Sequence, residues 1–171
     1  MKYSFVIPCY NSQDSIASVT EEIKAKMAEM GEESYEIILP DGLEAIGEWA
    51  FFGTGLRSVV IPPSVRTIGA CVFRSCPQLS EVTLPPTLTE FSSGMFQACG
   101  ALTDIEIHPG ITTIGGAALS GCSSLTTVTI PEGVTAIGSS AFHGCTGLQS
   151  IHVLPQTPPA GGSGMFSETN N

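Results

Sequence analysis

The chain has 171 residues and a net charge of −10, which comes from 16 acidic and 6 basic residues. That length suits one domain or a short repeat array, and the acidic balance makes nucleic acid and anionic membranes poor partners because phosphate groups are bound by clustered Lys and Arg. Apolar runs stay under ten residues, too short for a membrane-spanning helix, so we expect no membrane insertion.

The N-terminal segment, residues 1–42, is predicted to form a strand, a helix and a second strand. "YSFVIPCYN" is a short apolar strand that ends in a turn, and "YEIIL" is the second strand. Between them the apolar residues recur at intervals of 3, 4, 4 and 3, which predicts an amphipathic helix; they are Ile16, Val19, Ile23, Met27 and Met30. The start of the chain has one lysine and no small-residue cleavage site, so it predicts no signal peptide and, on sequence alone, a cytoplasmic protein.

This βαβ outline resembles the opening of the family-two glycosyltransferases. The residues that carry the resemblance are Pro8, Tyr10 and Asn11 in "VIPCYN" and Asp41–Gly42 after the second strand. The resemblance implies that the first strand and Asp41 hold the nucleotide of a sugar donor. However, none of the three aspartates of the chain stands in a D-x-D motif that would hold a metal on the diphosphate. We therefore expect no enzyme activity, and a sugar-nucleotide-binding fragment is the alternative function.

From residue 43 onward the chain repeats itself. Five units of 22 or 23 residues read roughly V-x-x-I-G-x-x-A-F-x-x-C-x-x-L-x-x-V-x-I-P, and they begin at Leu43, Val65, Leu88, Ile111 and Val134. A constant period of this length predicts a solenoid, in which each unit buries its apolar residues against its neighbours. We call the units coils one to five.

Each coil contains three local signals. Segments such as "EVTLP", "DIEIH" and "TVTIP" alternate apolar and polar residues and predict six parallel strands, side by side, on one wall. The "AFxxC" stretch is too short for a regular helix and is interpreted as a single helical turn on the other wall. A glycine at the fifth position predicts a tight corner; it occurs as Gly47, Gly69, Gly115 and Gly138.

The repeat resembles the BspA-like leucine-rich repeat family, on landmarks such as "VTAIGSSAFHGCTGLQSIHVLP", over about residues 36–166. The resemblance implies a curved, right-handed solenoid, often on bacterial surfaces, that adheres to proteins or host components and has no catalytic residues. The predicted fold is therefore a β-rich leucine-rich-repeat solenoid with short helical turns. Residues 1–42 form an N-terminal βα cap, residues 43–156 form five repeats, and residues 157–171 form an incomplete sixth repeat. The family places the chain at the cell surface, as the alternative to the cytoplasm.

Cysteine and histidine give no clear catalytic or metal site. One cysteine column runs through the repeats, as Cys76, Cys99, Cys122 and Cys145. We interpret it as a stack of buried, reduced thiols, with a metal site or a disulfide ladder as the alternatives. The histidines, His108, His143 and His152, are expected at the surface without a nucleophile or carboxylate partner. We therefore predict no cofactor and no metal.

The outward side chains of the strands are the predicted binding face. If Val128 and Ile130 point inward, then Thr127 and Thr129 point outward, and the same register applies to the other strands. The predicted partner-binding residues are Glu36, Val60, Glu81, Thr83, Asp104, Glu106, Thr127, Thr129 and His152. An unidentified protein is the predicted partner, while an ordinary solvated strand face is the alternative.

The C-terminal end is predicted to be poorly covered. The tail "QTPPAGGSGMFSETNN" is too short for a full strand, so Ile151 and Val153 should lie near an open end, with Phe166 folded back against it. Open strand edges and apolar ends favour pairing. We therefore predict weak self-association through this end.

Overall fold

A computed structural model describes residues 4–6, 25 and 36–169 of the chain. From residue 36 onward the chain forms a parallel β-solenoid of about five turns, which confirms the predicted fold class. The predicted N-terminal helix lies outside the described residues. In the part of the chain that the structure describes, no helix has the length and apolar character needed to cross a bilayer.

The described residues contain twelve short strands, and every pairing between them is parallel. In chain order they are β1 (Ser4–Val6), β2 (Glu36–Ile38), β3 (Ala45–Ile46), β4 (Ser58–Val60), β5 (Thr67–Ile68), β6 (Glu81–Thr83), β7 (Glu90–Phe91), β8 (Thr113–Ile114), β9 (Thr127–Ile130), β10 (Ala136–Ile137), β11 (Ser150–Val153) and β12 (Ala160–Gly161). They lie on two walls, and a third wall is made of turns.

The strand wall contains β2, β4, β6, β9 and β11. β4 pairs with β6 and β9 pairs with β11, while β2 pairs with β1. The predicted register is confirmed on β9, where Val128 and Ile130 are buried and Thr127 and Thr129 are exposed. Alternation of this kind arises because successive side chains on a strand point to opposite faces.

The second wall, which we call the short-strand wall, is formed by the two-residue strands. β3 pairs with β5, and β7, β8, β10 and β12 form a four-stranded sheet. The second residue of most of these strands points into the core, as Ile46, Ile68, Phe91, Ile114 and Ile137. The pattern analysis missed this wall, because two residues are too few to show a period of two.

A glycine follows four of these core residues, all except Phe91, and its role differs from the predicted one. A Cβ built on Gly138 would lie 2.4 Å from the backbone nitrogen of Gly116 in the preceding coil, and a Cβ on Gly69 would lie 2.5 Å from the backbone nitrogen of Glu48. Neither glycine has a left-handed backbone. Glycine is therefore needed here because the backbones of neighbouring coils approach each other too closely for a side chain.

The third wall, which we call the turn wall, contains the "AFxxC" stretch. It is a run of turns closed by bonds such as Gln97 N–H to the Gly94 oxygen (3.1 Å). Two positions in each coil have positive φ, and this interrupts any helix. The first position holds Trp49, Cys71, Gly94, Ala117, Ser140 and Gly164, and the second holds Gly53, Ser75, Ala98, Gly121, Gly144 and Glu168.

Backbone hydrogen bonds join the turn wall from coil to coil. In the third coil the N–H groups of Gly94, Phe96 and Ala98 donate to carbonyl oxygens of the fourth coil at 2.9, 2.8 and 2.7 Å. The same three bonds recur between the other neighbouring coils from residue 49 to residue 167. This wall is therefore continuous.

The core is a stack of equivalent side chains. The rings of Phe51 and Phe73 are parallel with centroids 5.3 Å apart, and those of Phe73 and Phe96 are 5.5 Å apart. Stacking like residues in register lets every coil bury the same apolar surface against its neighbours. At the C-terminal end, the ring of Phe166 stacks on buried Phe142 at 5.1 Å, so the tail folds back as expected, and β12 adds a two-residue strand beside β10.

A candidate interaction face on the strand wall

The predicted face residues lie together on the outer side of the strand wall. Eight of the nine are exposed, namely Val60, Glu81, Thr83, Asp104, Glu106, Thr127, Thr129 and His152. The side chain of Glu36 lies outside the description, although its backbone belongs to β2. Val60 is 63% exposed, a large fraction for an apolar side chain. The strand wall therefore presents one face to which several coils contribute.

One segment of the wall departs from the prediction of six adjacent strands. Residues 103–107 form no strand, and the described part of the chain offers their backbone no hydrogen-bond partner. The equivalent bonds exist on both sides of this segment, from Ser80 N–H to the Arg57 oxygen (2.9 Å) and from Gln149 N–H to the Thr126 oxygen (2.8 Å). Ile105 and Ile107 nevertheless remain buried. The side chains of this segment thus pack into the core, but its backbone forms no sheet hydrogen bonds.

We attribute the missing pairing between this segment and β6 to like charges. Asp104 occupies the same column as Glu81, one coil further along, and both side chains are exposed. Like charges directly opposite each other on neighbouring strands are destabilising, and aspartate is depleted in strands. On the other side, β9 carries Thr127 in this column and pairs normally with β11.

A cleft of about 380 Å³ lies where the wall is interrupted. It is lined by Val82, Thr83, Leu84, Pro86, Glu106, His108 and Pro109. Val82 and Leu84 are only half-buried, whereas the equivalent residues of β9 are fully buried. The interruption of the strand wall at residues 103–107 therefore leaves apolar side chains of β6 and its end exposed at the cleft.

His108 lines this cleft with one nitrogen unpaired. Gly110 N–H donates to His108 Nδ1 at 3.1 Å, so the neutral ring carries its proton on Nε2. Nε2 is shielded from water and has no partner among the described residues. A shielded polar group without a partner has lost its bonds to water without replacement. The prediction of a surface histidine is therefore only partly right, because this ring is half-buried.

Glu106 lines the cleft, and Glu81 and Asp104 are exposed on the same wall; we call these three carboxylates the acidic rim. No ion pair involves any of the three within residues 36–169. Arg74 is the last basic residue apart from the histidines. The electrostatic field over this part of the face is therefore negative.

The cysteine column is buried, as predicted. The thiols of Cys76 and Cys99 donate to the carbonyl oxygens of Phe51 and Phe73, both at 3.0 Å, and those of Cys122 and Cys145 make equivalent bonds at 3.2 Å. Thr54 takes the same position in coil one, and its hydroxyl bonds the Phe51 oxygen at 2.9 Å. The described cysteines are free thiols, and no cluster that could hold a metal is present in the described ranges.

Burial keeps these thiols protonated. The hydrogen bond with Cys76, together with burial, raises the pKa of Cys99 far above its usual range. Burial, reinforced by the Cys145 thiolate, raises the pKa of Cys122. Burial also raises the pKa of Cys145 to about 11. Because the thiolate is the reactive form, these side chains act as small apolar residues.

His143 has neighbours that the sequence did not predict. Its Nδ1 lies 2.8 Å from Ser167 Oγ, and its Nε2 lies 3.6 Å from Glu168 Oε2. The Ser167 hydroxyl donates to the Gly164 oxygen at 2.9 Å, so it accepts from His143 rather than giving up its proton to that nitrogen. The contact therefore joins the tail to coil five and lacks the proton path of a catalytic triad. Aligning the sixth unit in register would have placed these residues side by side.

An exposed aromatic pair on the turn wall was also missed. The rings of Trp49 and Phe52 meet edge to face at 5.2 Å, and the Arg74 guanidinium lies 5.5 Å from the Trp49 ring centroid. These residues depart from the repeat consensus, and that departure was the available signal.

Comparison with known families gives one match. Residues 21–149, about three quarters of the chain, match the family described as "BspA type Leucine rich repeat region", in six copies. The matched region begins within the segment that resembled a glycosyltransferase, and no comparison supports that resemblance. The comparison with curated proteins gives no match.

Solved structures of bacterial leucine-rich repeat proteins are similar to the chain. A leucine rich cell surface protein from Faecalibacterium prausnitzii is 36% identical, with a TM-score of 0.65 over 71% of this chain and 32% of its own. The leucine-rich repeat protein of T. pallidum is 27% identical, with a TM-score of 0.64 over 80% of this chain and 76% of its own. A protein from Eubacterium ventriosum, 20% identical, shares the fold with a TM-score of 0.74 over 98% of this chain and 43% of its own. The chain thus spans about a third of the length of the Faecalibacterium protein.

Proposed function

Because the chain belongs to the BspA-type leucine-rich repeat family, we propose that it is a non-enzymatic module that binds a partner protein through its strand wall. The observation that carries the proposal is the row of eight exposed side chains on the outer face of this wall. Solenoids bind partners on extended surfaces of this kind, because side chains of successive repeats are held at a fixed spacing. The binding residues are then the nine that were predicted from the sequence.

Substitutions at two exposed hydroxyl residues, Thr129 and Ser123, give the sharpest test. Thr129→Arg places a long charged side chain at the centre of the face, and Ser123→Arg makes the same kind of change at an exposed position of the same coil outside the strands. The full chain and both variants are immobilised, and captured proteins are identified by mass spectrometry. We expect Thr129→Arg to lose a partner that the wild type and Ser123→Arg both retain. Equal capture by all three would contradict the proposal.

We further propose adhesion at a bacterial cell surface as the role of this binding. The support is the cell-surface description of the Faecalibacterium protein, which is 36% identical to the chain. An antibody against the solenoid should then label intact cells that produce the protein. Labelling only after permeabilisation would contradict the surface location and would leave protein binding as the function.

The second candidate function is sugar-nucleotide binding by residues 1–42. It is supported by the parallel pairing of Phe5 with Ile37, which a βαβ unit requires, and by Asp41–Gly42 shortly after β2. Calorimetric titration of the full chain with UDP-sugars, with and without Mn²⁺, tests it. Saturable binding that is weakened by Asp41→Asn would support this function, and no heat of binding would exclude it.

A further inference from the structure

We propose that the cleft beside β6 binds an extended, basic segment of the partner protein, which adds as a strand along residues 103–107. This inference rests on the proposed function, because it names the partner chemistry and the place of binding on the same wall. Three independent features support it: a backbone segment without hydrogen-bond partners, an apolar cleft floor, and an acidic rim without ion-pair partners.

The first feature is the backbone. β6 is the outer strand of its two-stranded sheet, β9 begins the next sheet, and residues 103–107 lie between them without a backbone partner among the described residues. Unpaired N–H and C=O groups in a row are what an added strand recognises. The turn wall holds the coils together at this level through the Gly94, Phe96 and Ala98 bonds. The segment is thus held in place while its backbone bonding groups remain open.

The second feature is the floor of the cleft. Val82 and Leu84 expose apolar surface there, and Pro86 and Pro109, at equivalent positions of neighbouring coils, line it without offering backbone N–H groups. A cleft of about 380 Å³ takes a few residues of an extended chain rather than a folded domain.

The third feature is charge. Glu106 lines the cleft, Glu81 directly precedes its lining residue Val82, and no residue of the acidic rim has an ion-pair partner among the described residues. Along an extended segment, alternate side chains point to opposite faces. One set would meet the apolar floor, and the other would reach the acidic rim. Alternating aliphatic residues with Lys or Arg is therefore the pattern that fits.

The test uses a fluorescent decapeptide of alternating Lys and Val as the probe, with the full-length protein. We expect saturable binding, at least tenfold tighter than that of the matched Glu-Val peptide. Methylating alternate peptide nitrogens, which removes N–H donors but keeps the charge, should weaken binding about tenfold. Hydrogen exchange should show new protection at residues 103–107 when the peptide binds. Equal affinity of the methylated peptide, or no protection at this segment, would overturn strand addition.

Two single-charge variants separate the cleft from general attraction to an acidic protein. Glu106→Gln should weaken binding of the Lys-Val peptide at least threefold, while Glu90→Gln, which removes the same charge from an exposed residue of β7 on the short-strand wall, should leave it unchanged. An equal effect of the two variants would overturn the assignment of the cleft, as would no binding at all.

The two sets of variants distinguish failure of the cleft assignment from failure of the proposed binding by the strand wall. If Thr129→Arg abolishes partner capture but Glu106→Gln does not affect peptide binding, the wall binds its partner and the cleft is not the place of binding. If Glu106→Gln weakens peptide binding while Thr129→Arg leaves partner capture intact, the cleft binds extended chains and the wider face does not.

Discussion

Two residues in every coil have a left-handed backbone, and seven of these twelve positions are not glycine. Trp49, Ala98 and Ser140 have φ of 61°, 61° and 57°. A left-handed conformation costs a residue with a Cβ roughly 1–2 kcal/mol, so the coils carry local strain that their backbone hydrogen bonds offset. The turn wall therefore depends on cooperation between neighbouring coils.

This strain makes Ala98→Gly a stabilising substitution. Ala98 is exposed, and glycine retains its N–H bond to the Ser120 oxygen. Relief of strain should outweigh the entropy lost by glycine, so the free energy of unfolding should rise by about 0.5–1 kcal/mol. The control is Ala101→Gly, at a position without positive φ, which should lower it by about 0.5–1 kcal/mol. Urea unfolding measures both, and a loss of stability in Ala98→Gly would contradict the prediction.

The buried thiols make stability depend on pH on the alkaline side. The folded pKa of Cys145, about 11, lies above the unfolded value of 9.0. Its stabilising contribution is therefore complete below the unfolded pKa and is lost as the pH rises through the folded pKa. We expect the urea midpoint of the wild type to fall over this range. The midpoint of Cys145→Ala, although lower at neutral pH, should fall less steeply, and parallel profiles would contradict the prediction.

At the scale of elements, residues 103–107 behave differently from the other segments of the strand wall. Ile105 and Ile107 fill the core as the apolar pattern requires, yet their backbone takes no part in a sheet. Packing and backbone pairing are thus separable within one coil. Amide protons with no bonded acceptor should exchange faster than those of β9 and β11.

Removing the negative charge of Asp104 should restore sheet hydrogen bonds to residues 103–107. Asp104→Thr gives this coil the residue that β9 has as Thr127, and it removes the carboxylate opposite Glu81. We expect a gain of about 0.5–1 kcal/mol in the free energy of unfolding. Slower hydrogen exchange at residues 104–106 should accompany it. Asp41→Thr, which removes an equal charge outside the wall, serves as the control; unchanged exchange at 104–106 in Asp104→Thr would show that repulsion is not the cause of the gap.

The apolar pattern predicts side-chain direction better than it predicts backbone pairing. Burial of Val128 and Ile130 and the thiol column followed from spacing alone, because each coil must direct the same positions inward. The missing backbone pairing at Asp104 could not be predicted from this spacing, because we attribute it to the charges that face each other in neighbouring coils. The requirement for glycine at Gly138 depends on a distance between two backbones, and the cleft beside His108 depends on both the gap and the neighbouring packing. A one-dimensional pattern contains none of these distances.

At the scale of the molecule, the C-terminal end differs from the middle. Ile151 is half-buried, and Val153 and Leu154 are 53% and 52% exposed. Phe166 covers Phe142, and the His143–Ser167 contact holds the tail, but β11 has a paired neighbour on one side only within the described chain. An unpaired edge beside exposed apolar residues favours association.

We therefore predict weak self-association of the 171-residue chain through this edge. Val153→Asp introduces a charge on the edge and should shift the protein to monomer in analytical ultracentrifugation. Val60→Asp, at an equally exposed strand valine near the other end of the solenoid, is the matched control and should leave the association unchanged. A wild type that remains monomeric at high concentration would mean that the tail is an adequate cap.

The unequal bonding of the walls has a mechanical consequence. The turn wall is bonded at every coil, whereas the strand wall is bridged at residues 103–107 only by packed side chains. Hydrogen bonds that share a load resist stretching together, while side-chain contacts yield more gradually. The solenoid is therefore stiff along the turn wall and more compliant along the strand wall, where β2 and β4 are also not paired with each other in the described chain. Bending should concentrate at these two levels, with the turn wall as the hinge, so a pull on the two ends would widen the strand wall there first.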